Sequence, residues 1–306
     1  MSGSGRNKIL QRIPLKVIYI CIIVLAALIL FVIKESSGYN IVEYYIGTDK
    51  DITPFRFVML SDLHDTDVTH DNNKALLASI DNIDPDFVIL AGDMITSYKN
   101  RGRNPERAYD FLKNLAAAHK VYYGLGNHEQ RYMAEPERYP ERFERLRKVA
   151  AEAGICLLSD EYVRIDDRRI GIYGFNIPIE NYKRAVSVHL DPAIISDRFG
   201  KVDKNDFNIL IAHHPGFFDE YASFGADLVL SGHLHGGIVA IPGIGGVISP
   251  QLKLFPKYDF GKYEKDDTTM IVSRGIGWHS IPIRIFNKAE VVCITVGPKR
   301  GIQNGN

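Results

Sequence analysis

The chain is poor in cysteine and has no excess of charge. Three cysteines, Cys21, Cys156 and Cys293, are too few and too scattered for a disulfide framework. Lysine and arginine together number 37, as do aspartate and glutamate, so the formal net charge is zero and gives no specific nucleic-acid signal. Internal repeats are also missing. With 306 residues, 45% of them hydrophobic, the composition is that of a folded protein with one large or two small domains.

Charged residues are absent from residues 17–33, an apolar stretch near the N-terminus. Its length approaches the ~20 residues that a helix needs to cross a bilayer, so we predict a transmembrane signal-anchor helix at 13–33. A cleaved signal peptide is the alternative, but no small-x-small cleavage site follows in residues 34–38. Four basic residues precede the stretch and only Lys34 follows closely, which predicts a single-pass cell-membrane protein with a cytoplasmic N-terminus and the domain after the helix outside.

Five short apolar, β-branched runs each end in a polar motif. The motifs are Asp62-Leu63-His64, Gly92-Asp93, Gly126-Asn127-His128-Glu129, His213 and Gly232-His233-Leu234-His235. Such runs, bounded by Gly, Pro or Asp, are typical of buried strands. Because loops at the carboxyl ends of strands in an α/β sheet share one rim, we expect the motifs to meet at one site.

The side chains of these motifs suit metal ions. Carboxylate, amide oxygen and imidazole without thiolate are ligands for divalent Mn, Fe, Zn or Co. Seven candidate ligands are too many for one tetrahedral ion and enough for two if one carboxylate bridges them. The sequence therefore predicts a two-metal site.

The ordered motifs resemble those of the calcineurin-like metallophosphoesterases, whose pattern is D-x-H, G-D, G-N-H-[ED], H and G-H-x-H. The resemblance spans roughly residues 55–296, and the apolar N-terminus is similar to that of a membrane-anchored or exported, YkuE-like branch. It implies an α/β fold, a four-layer α-β-β-α sandwich of two mixed sheets with flanking helices, here preceded by one transmembrane helix. Strand alternation by itself also allows a single doubly wound sheet.

The resemblance also assigns the ligands. One metal takes Asp62, His64 and His235, the other takes Asn127, His213 and His233, and Asp93 bridges them. A bridging position needs an anion with two usable oxygens, which Asp93 has and Asn127 lacks. His214 competes with His213, but the family ligand is the histidine two positions before a proline, which selects His213 and leaves His214 as a candidate substrate contact.

Three further residues receive roles. His128 resembles the non-ligand histidine of the family that is directed at the leaving-group oxygen. Asp65 either orients His128 or a metal ligand, or is simply solvated at the surface. Arg284 is a candidate phosphate contact and otherwise an ordinary salt-bridging side chain.

Together these features predict a dinuclear-metal-dependent phosphoesterase. It would hydrolyse a phosphomonoester or phosphodiester by attack of a metal-bridging hydroxide, with Mn²⁺ as the first expectation and Fe, Zn or Co as alternatives. Because the membrane helix would keep the site near the bilayer, a lipid- or envelope-linked phosphoester is one candidate substrate. A non-catalytic metal-bearing module at the membrane and a cleaved, secreted phosphoesterase are the alternatives. Nothing in the sequence indicates an oligomeric state.

The predicted organisation follows from these assignments. It comprises a cytoplasmic tail at 1–12, the transmembrane helix at 13–33, a juxtamembrane linker or first strand at 34–54, the metallophosphoesterase domain at 55–298 and a tail at 299–306. Helices are expected at 74–82 and at 105 to about 118. Segments 155–158, 162–165 and 169–175 alternate like antiparallel strands, and 270–273 and 291–296 are expected to close a second sheet.

Overall fold

A computed structural model of the chain describes residues 14–97, 104–183, 189–237, 240–241, 245–246, 255–278 and 283–299. The helices are α1 (Leu15–Ser36), α2 (Lys74–Ile83), α3 (Pro105–Ala118), α4 (Asn127–Ala134), α5 (Arg142–Ala153), α6 (Ala193–Phe199) and α7 (Phe218–Phe224). The strands are β1 (Tyr39–Thr48), β2 (Phe55–Leu60), β3 (Phe87–Ala91), β4 (Val121–Gly124), β5 (Cys156–Leu158), β6 (Glu161–Ile165), β7 (Ile170–Gly174), β8 (Phe207–Ile211), β9 (Leu228–Ser231), β10 (Ala240–Ile241), β11 (Gly245–Gly246), β12 (Gly261–Lys265), β13 (Thr268–Val272) and β14 (Ala289–Pro298).

Two six-stranded mixed sheets form the body of the protein. The first sheet has the order β1-β14-β2-β3-β4-β5, and the second has the order β12-β13-β9-β8-β7-β6. Strands β2 to β5 run parallel in the first sheet, as do β7, β8, β9 and β13 in the second. The shared directions bring the carboxyl ends of β2, β3 and β4 to one edge and those of β8 and β9 to the corresponding edge of the other sheet.

Three apolar cores separate four layers. One core joins the first sheet to α2, α3 and α5 and includes Leu76, Leu112 and Leu146. A second lies between the sheets and brings the ring of Phe55 of the first against that of Phe207 of the second. A third joins the second sheet to α6 and α7. The predicted four-layer α-β-β-α sandwich is therefore confirmed, and the doubly wound single sheet is excluded.

Two strands were assigned wrongly from their alternation. Strand β5 was expected to be antiparallel beside β6, but it pairs in parallel with β4 in the first sheet. Strand β14 was expected to close the second sheet, but it lies in the first, antiparallel to β2 and parallel to β1. Alternation reports which face of a strand is buried, and both faces of each sheet are covered here, so it does not reveal the partner strand.

Local signals predicted the flanking helices well. The side chain of Asp71 accepts hydrogen bonds from the backbone N–H groups of Lys74 and Ala75 at the start of α2. At the start of α3, Asn104 Oδ1 accepts from the N–H of Glu106, and Pro105 occupies the first turn. Both arrangements satisfy N–H groups that have no partner within the helix.

Helix α1 is long and apolar enough to cross a membrane, and no residue in it is fully buried against the rest of the protein. It continues through Ser37 and Gly38 into β1, which pairs along its whole length with β14. The predicted tail at 1–12 and residues 300–306 lie outside the described residues. The three cysteines are free thiols.

Candidate metal centre

The five polar motifs meet where the two sheets present the carboxyl ends of their strands. Several of the predicted ligands have left-handed backbone conformations, which side-chain-bearing residues rarely adopt. The φ angles are 56° at Asp62, 49° at His64, 55° at Asp93, 71° at His233 and 52° at His235. Strain of this kind persists only where the surrounding structure imposes it, and five of the predicted ligands share it.

The first group of ligand atoms comes from the loop after β2 and the loop after β9. Asp62, His64 and His235 are buried, and each offers a ligand atom within 4.8 Å of the other two. The Nε2 atoms of His64 and His235 face each other at 3.1 Å, and His235 Nε2 lies 3.2 Å from Asp62 Oδ1. The other Asp62 oxygen, Oδ2, accepts from the Ser61 hydroxyl at 2.6 Å.

The second group comes from the loops after β3, β8 and β9. Asp93, His213 and His233 place one ligand atom each within 4.8 Å of one another. His213 Nε2 lies 3.1 Å from Asp93 Oδ2, and its Nδ1 lies 2.7 Å from the Ala91 carbonyl oxygen. With Nδ1–H donating to that carbonyl, the ring directs the lone pair of Nε2 at the carboxylate side of the cluster.

Asp93 lies between the two groups. Its Oδ2 is 3.9 Å from Nε2 of His64, in the first group, and 3.9 Å from Nε2 of His128. Its Oδ1 accepts from the backbone N–H of His128 at 2.8 Å. A carboxylate at this position has an oxygen directed at the space that both groups share, which is the requirement for a bridging ligand.

The donor set fits divalent cations. Asn127 is buried, and its Oδ1 has no hydrogen-bond partner among the described residues. A buried acceptor without a donor costs about 1–3 kcal/mol, and a cation would satisfy it. Two carboxylates, imidazole nitrogens and an amide oxygen, without thiolate, are suitable for Mn, Fe, Zn or Co.

Electrostatics also favour a positive charge in this site. Burial lowers the pKa of His213, but the carboxylates of Asp93 and Asp62 outweigh it and raise that pKa to about 10. Burial would raise the pKa of Asp93, yet the neighbouring imidazoles, His213 first, hold it well below its ordinary value. Both observations describe a buried anionic cluster that attracts cations.

His128 lies beside the cluster at the start of α4. The backbone N–H of Ser97 donates to its Nδ1 at 2.8 Å, and the Ser97 hydroxyl is also 2.8 Å from that atom. An acceptor role for Nδ1 places the proton of the neutral ring on Nε2, on the side of Asp93. Burial lowers the pKa of His128 to about 4, with the charge of Asp93 opposing the shift.

Glu129 ties the loops after β3 and β4 together. Its Oε2 accepts from the N–H groups of Asp93 and Gly126, both at 2.9 Å, and its Oε1 accepts from Ile95 N–H at 3.0 Å and the Tyr123 hydroxyl at 2.8 Å. Burial and the charge of Asp93 raise the pKa of Glu129 to about 7, while the Ile95 and Tyr123 donors oppose the rise. The motif contained Glu129, but the sequence analysis gave it no role. Its position at the third residue of α4, where it satisfies the N-cap N–H, was the available signal.

The remaining predicted residues have different surroundings. His214 is buried next to the second group, with its ring 4.8 Å from that of His233, and its Nδ1 accepts from Gly216 N–H. Asp65 is buried rather than solvated, so the surface alternative was wrong, and its Oδ2 accepts from Thr96 N–H. No pattern in the sequence pointed to Tyr182, whose ring packs edge-on against that of His233 at 5.0 Å.

Arg284 is buried within its own loop. Its guanidinium donates to the carbonyl oxygens of Arg274, Gly275, Gly277 and Asn287. Burial lowers its pKa to about 10. These contacts are those of a residue that holds backbone segments together, not of one presented to a phosphate.

Glycine is required where loops approach the carboxylates. A Cβ atom at Gly126 would lie 2.2 Å from Asp93 Oδ1, and one at Gly232 would lie 2.3 Å from Asp62 Oδ2. Both distances are below any van der Waals contact. The glycines of the G-N-H and G-H-x-H motifs therefore make room for the two acidic ligands.

The two sheets gather carboxylates and imidazoles at their strand ends, in adjacent groups that could each hold a metal ion, and this arrangement defines the class of dinuclear metal-binding proteins. The chain belongs to the calcineurin-like phosphoesterase family: residues 55–237, more than half of its length, match the family model. The family and the clustered aspartates and histidines together indicate two metal ions.

Relatives carry the same family name. An uncharacterized metallophosphoesterase of Helicobacter pylori is 27% identical over 267 residues, covering 85% of this chain and 64% of that protein. The uncharacterized metallophosphoesterase YkuE of Bacillus subtilis is 24% identical over 249 residues, covering 79% of each chain. A transmembrane protein with a metallophosphoesterase domain from Danio rerio is 24% identical over 323 residues, covering 96% of this chain and 64% of that protein. The chain thus spans slightly less than two thirds of the length of the first and third relatives. The match to YkuE supports the predicted branch of the family.

Proposed function

We propose that the protein hydrolyses a phosphomonoester or phosphodiester at a dinuclear metal centre, with His128 assisting the departure of the leaving group. The arrangement of Asp93 carries this proposal. Its carboxylate lies between the His64 side and the His213 side of the cluster, with an oxygen 3.9 Å from the first imidazole and 3.1 Å from the second.

The seven predicted ligands divide between two ions. Asp62, His64 and His235 would hold one ion, Asn127, His213 and His233 would hold the other, and Asp93 would contact both. When bound, such a pair lowers the pKa of water and neutralises charge on a phosphoryl oxygen. We propose Mn²⁺ as the physiological metal, with Fe, Zn or Co as alternatives that the same donors accept.

His128 supplies a hydrogen bond in this mechanism. The Ser97 N–H donor to Nδ1 fixes the tautomer and leaves Nε2–H to donate to the leaving-group oxygen. The low pKa of His128, due first to burial, means that the neutral ring is the donor at neutral pH. Stabilising the departing oxygen in this way contributes about 10²–10⁴-fold in rate.

Helix α1 supports a location at the membrane. Its length and apolar surface suit a single-pass anchor, and the basic residues before it favour a cytoplasmic N-terminus with the catalytic domain outside. The domain boundaries that we propose are those expected from the sequence, with the metallophosphoesterase domain at 55–298.

A substrate panel with matched variants tests the proposal. Full-length protein in detergent micelles, loaded with Mn²⁺, should release nitrophenol from a nitrophenyl monoester or diester. Asp93→Asn should abolish activity with loss of bound metal, whereas His128→Ala should lower kcat with metal content unchanged. If the metal-loaded protein hydrolyses neither ester, the non-catalytic module replaces this proposal.

A further inference from the structure

We propose that the metal centre works at the surface of the bilayer on the phosphate ester of a membrane amphiphile, whose apolar chain stays in the lipid during hydrolysis. The proposal rests on the proposed function and names the substrate class for that site. It is carried by the contacts between helix α1, the loop at residues 283–287 and the metal ligands.

The depth of the bilayer is set by α1. Its 22 residues span about 33 Å at ~1.5 Å per residue, close to the ~30 Å thickness of the hydrocarbon core. Only Ser37 and Gly38 separate it from β1. Because the last turn holds Lys34, whose ammonium reaches water at the headgroups, the bilayer surface lies at this turn.

The loop at residues 283–287 packs against that same end of the helix. The ring of Phe286 lies 5.2 Å from that of Phe31, which is within the apolar part of α1. The backbone N–H of Arg284 donates to the Ser36 hydroxyl at 2.9 Å. These contacts hold the loop at the level of the lipid headgroups.

Apolar side chains on and beside this loop are exposed. Phe286 is 50% exposed, Ile283 is 39% exposed and Ile241 is 41% exposed. Ile241 belongs to the same surface because the N–H of its neighbour, Ala240, donates to the Ile285 carbonyl. We call Ile241, Ile283 and Phe286 the membrane-facing patch. This patch is continuous with the exposed apolar surface of α1, and contiguous apolar surface is stabilised by insertion into the membrane interface. The bilayer is therefore the partner that covers the patch.

The residue after Phe286 reaches the metal centre. Asn287 Nδ2 donates to the carbonyl oxygen of His235 at 2.6 Å. Arg284 Nη2 donates to the carbonyls of Gly275 and Gly277, and the N–H of Gly277 donates to the Asp62 carbonyl. The backbone of two predicted ligands of one ion is therefore held by a loop that lies at the membrane.

Such a placement favours one class of substrate. A site whose supporting loop sits among the headgroups lies close to the phosphate groups of lipids, whereas a soluble ester gains nothing from that position. Lys34 at the end of α1 and Lys288, whose side chain lies alongside Gly38, add positive charge at this level, which attracts anionic headgroups.

Paired probes with one reacting group test the inference. Full-length, Mn-loaded protein in liposomes is given 4-nitrophenyl hexadecyl phosphate or 4-nitrophenyl ethyl phosphate, and in parallel hexadecyl phosphate or ethyl phosphate. We expect kcat/KM for the hexadecyl ester to exceed that for the ethyl ester by about tenfold or more in at least one pair. Equal values in every pair that reacts would overturn the inference and leave the proposed function standing. No hydrolysis in either pair would overturn both.

Variants then test the patch itself. Ile241→Ser combined with Phe286→Ser should lower the rate on the hexadecyl ester about fivefold to tenfold and leave the ethyl ester unchanged, since apolar contact with lipid is lost. Tyr162→Ser, which removes an aromatic ring 58% exposed on β6 of the second sheet, is the control and should change neither rate. An equal fall with both esters, or no fall with either, would overturn the role of the patch.

A second measurement is independent of catalysis. Lipids brominated near the headgroup should quench the fluorescence of the Phe286→Trp protein more than they quench Trp278 in the unaltered protein. They should not quench the Tyr162→Trp protein more than the unaltered one. Quenching of the introduced indole at position 286 by aqueous iodide alone would contradict a position in the bilayer interface.

Discussion

Replacing Glu129 by glutamine tests how the loops that carry Asp93 and Asn127 are held in place. Four donors face the two carboxylate oxygens, with Asp93 and Gly126 N–H at Oε2 and Ile95 N–H and the Tyr123 hydroxyl at Oε1. A carboxylate accepts all four hydrogen bonds. A carboxamide offers one oxygen, and its NH₂ group faces a pair of donors.

The cost follows from the better of the two amide orientations. With its nitrogen at the Oε1 position, the introduced amide would meet the Tyr123 hydroxyl, which can rotate and accept, but Ile95 N–H would lose its acceptor. One buried N–H without a partner costs about 1–3 kcal/mol. Burial and the charge of Asp93 raise the pKa of Glu129 to about 7, so the negative charge is itself unfavourable in the metal-free site and its removal adds nothing to this cost. The expected loss is thus about 1–3 kcal/mol in the free energy of unfolding.

Urea denaturation of the metal-free protein in micelles, followed by Trp278 fluorescence, measures this loss. Tyr123→Phe is the control, because it removes one donor, leaves the three N–H bonds intact and should cost only about 1 kcal/mol. Calorimetric titration with Mn²⁺ should also show affinity reduced about 10–100-fold in Glu129→Gln, since the support of a ligand is weakened. A Glu129→Gln protein as stable as Tyr123→Phe, with unchanged Mn²⁺ affinity, would refute the reasoning.

Four other outcomes are expected. Chelation of the metals should lower the thermal midpoint, because an ion at about 100 times its Kd adds about 2.7 kcal/mol, and an unchanged midpoint would argue against binding. His128→Gln should lower kcat about 10²–10⁴-fold with full metal content by mass spectrometry, whereas metal loss would make His128 a ligand. Asp206→Asn should lower the free energy of unfolding by about 1–2 kcal/mol at pH 7 in urea titrations, because the hydrogen bonds from Arg164 lower the pKa of Asp206. Since the pKa is depressed in the folded state, the stability difference between the two proteins is present above pH ~4. It should vanish as the pH falls through the folded pKa. Arg284→Met should destabilise the protein by about 3 kcal/mol or more in the same titrations, since four carbonyl groups lose their donor, and a loss below about 1 kcal/mol would contradict its supporting role.

The meeting of the motifs was predictable because a general rule places loops at the carboxyl ends of parallel strands on one edge. Strands β2, β3, β4, β8 and β9 obey that rule in two sheets. The sheet to which each strand belongs was not predictable from local patterns. The errors at β5 and β14 arose because an apolar strand segment carries no information about its partner strand, whether it has three residues, as in β5, or ten, as in β14.

Within the site, ligand types were visible in the sequence and supporting contacts were not. The N–H of Asp93 and the carboxylate of Glu129 are 36 positions apart, and no spacing pattern links them. The same is true of Ser97 and His128, which are 31 positions apart. Arg284 was assigned to phosphate by its charge alone, because no spacing pattern reveals the four backbone carbonyls that accept hydrogen bonds from its guanidinium.

Electron paramagnetic resonance of the protein loaded with Mn²⁺ tests the central claim most directly, because it reports whether two ions share a ligand. With metal content measured on the same sample, we expect two Mn²⁺ per chain and an exchange-coupled spectrum. The Asp93→Asn protein should instead show the spectrum of isolated Mn²⁺ ions or bind no metal. A spectrum of isolated Mn²⁺ in the unaltered protein, with one ion per chain, would contradict a dinuclear centre built around Asp93.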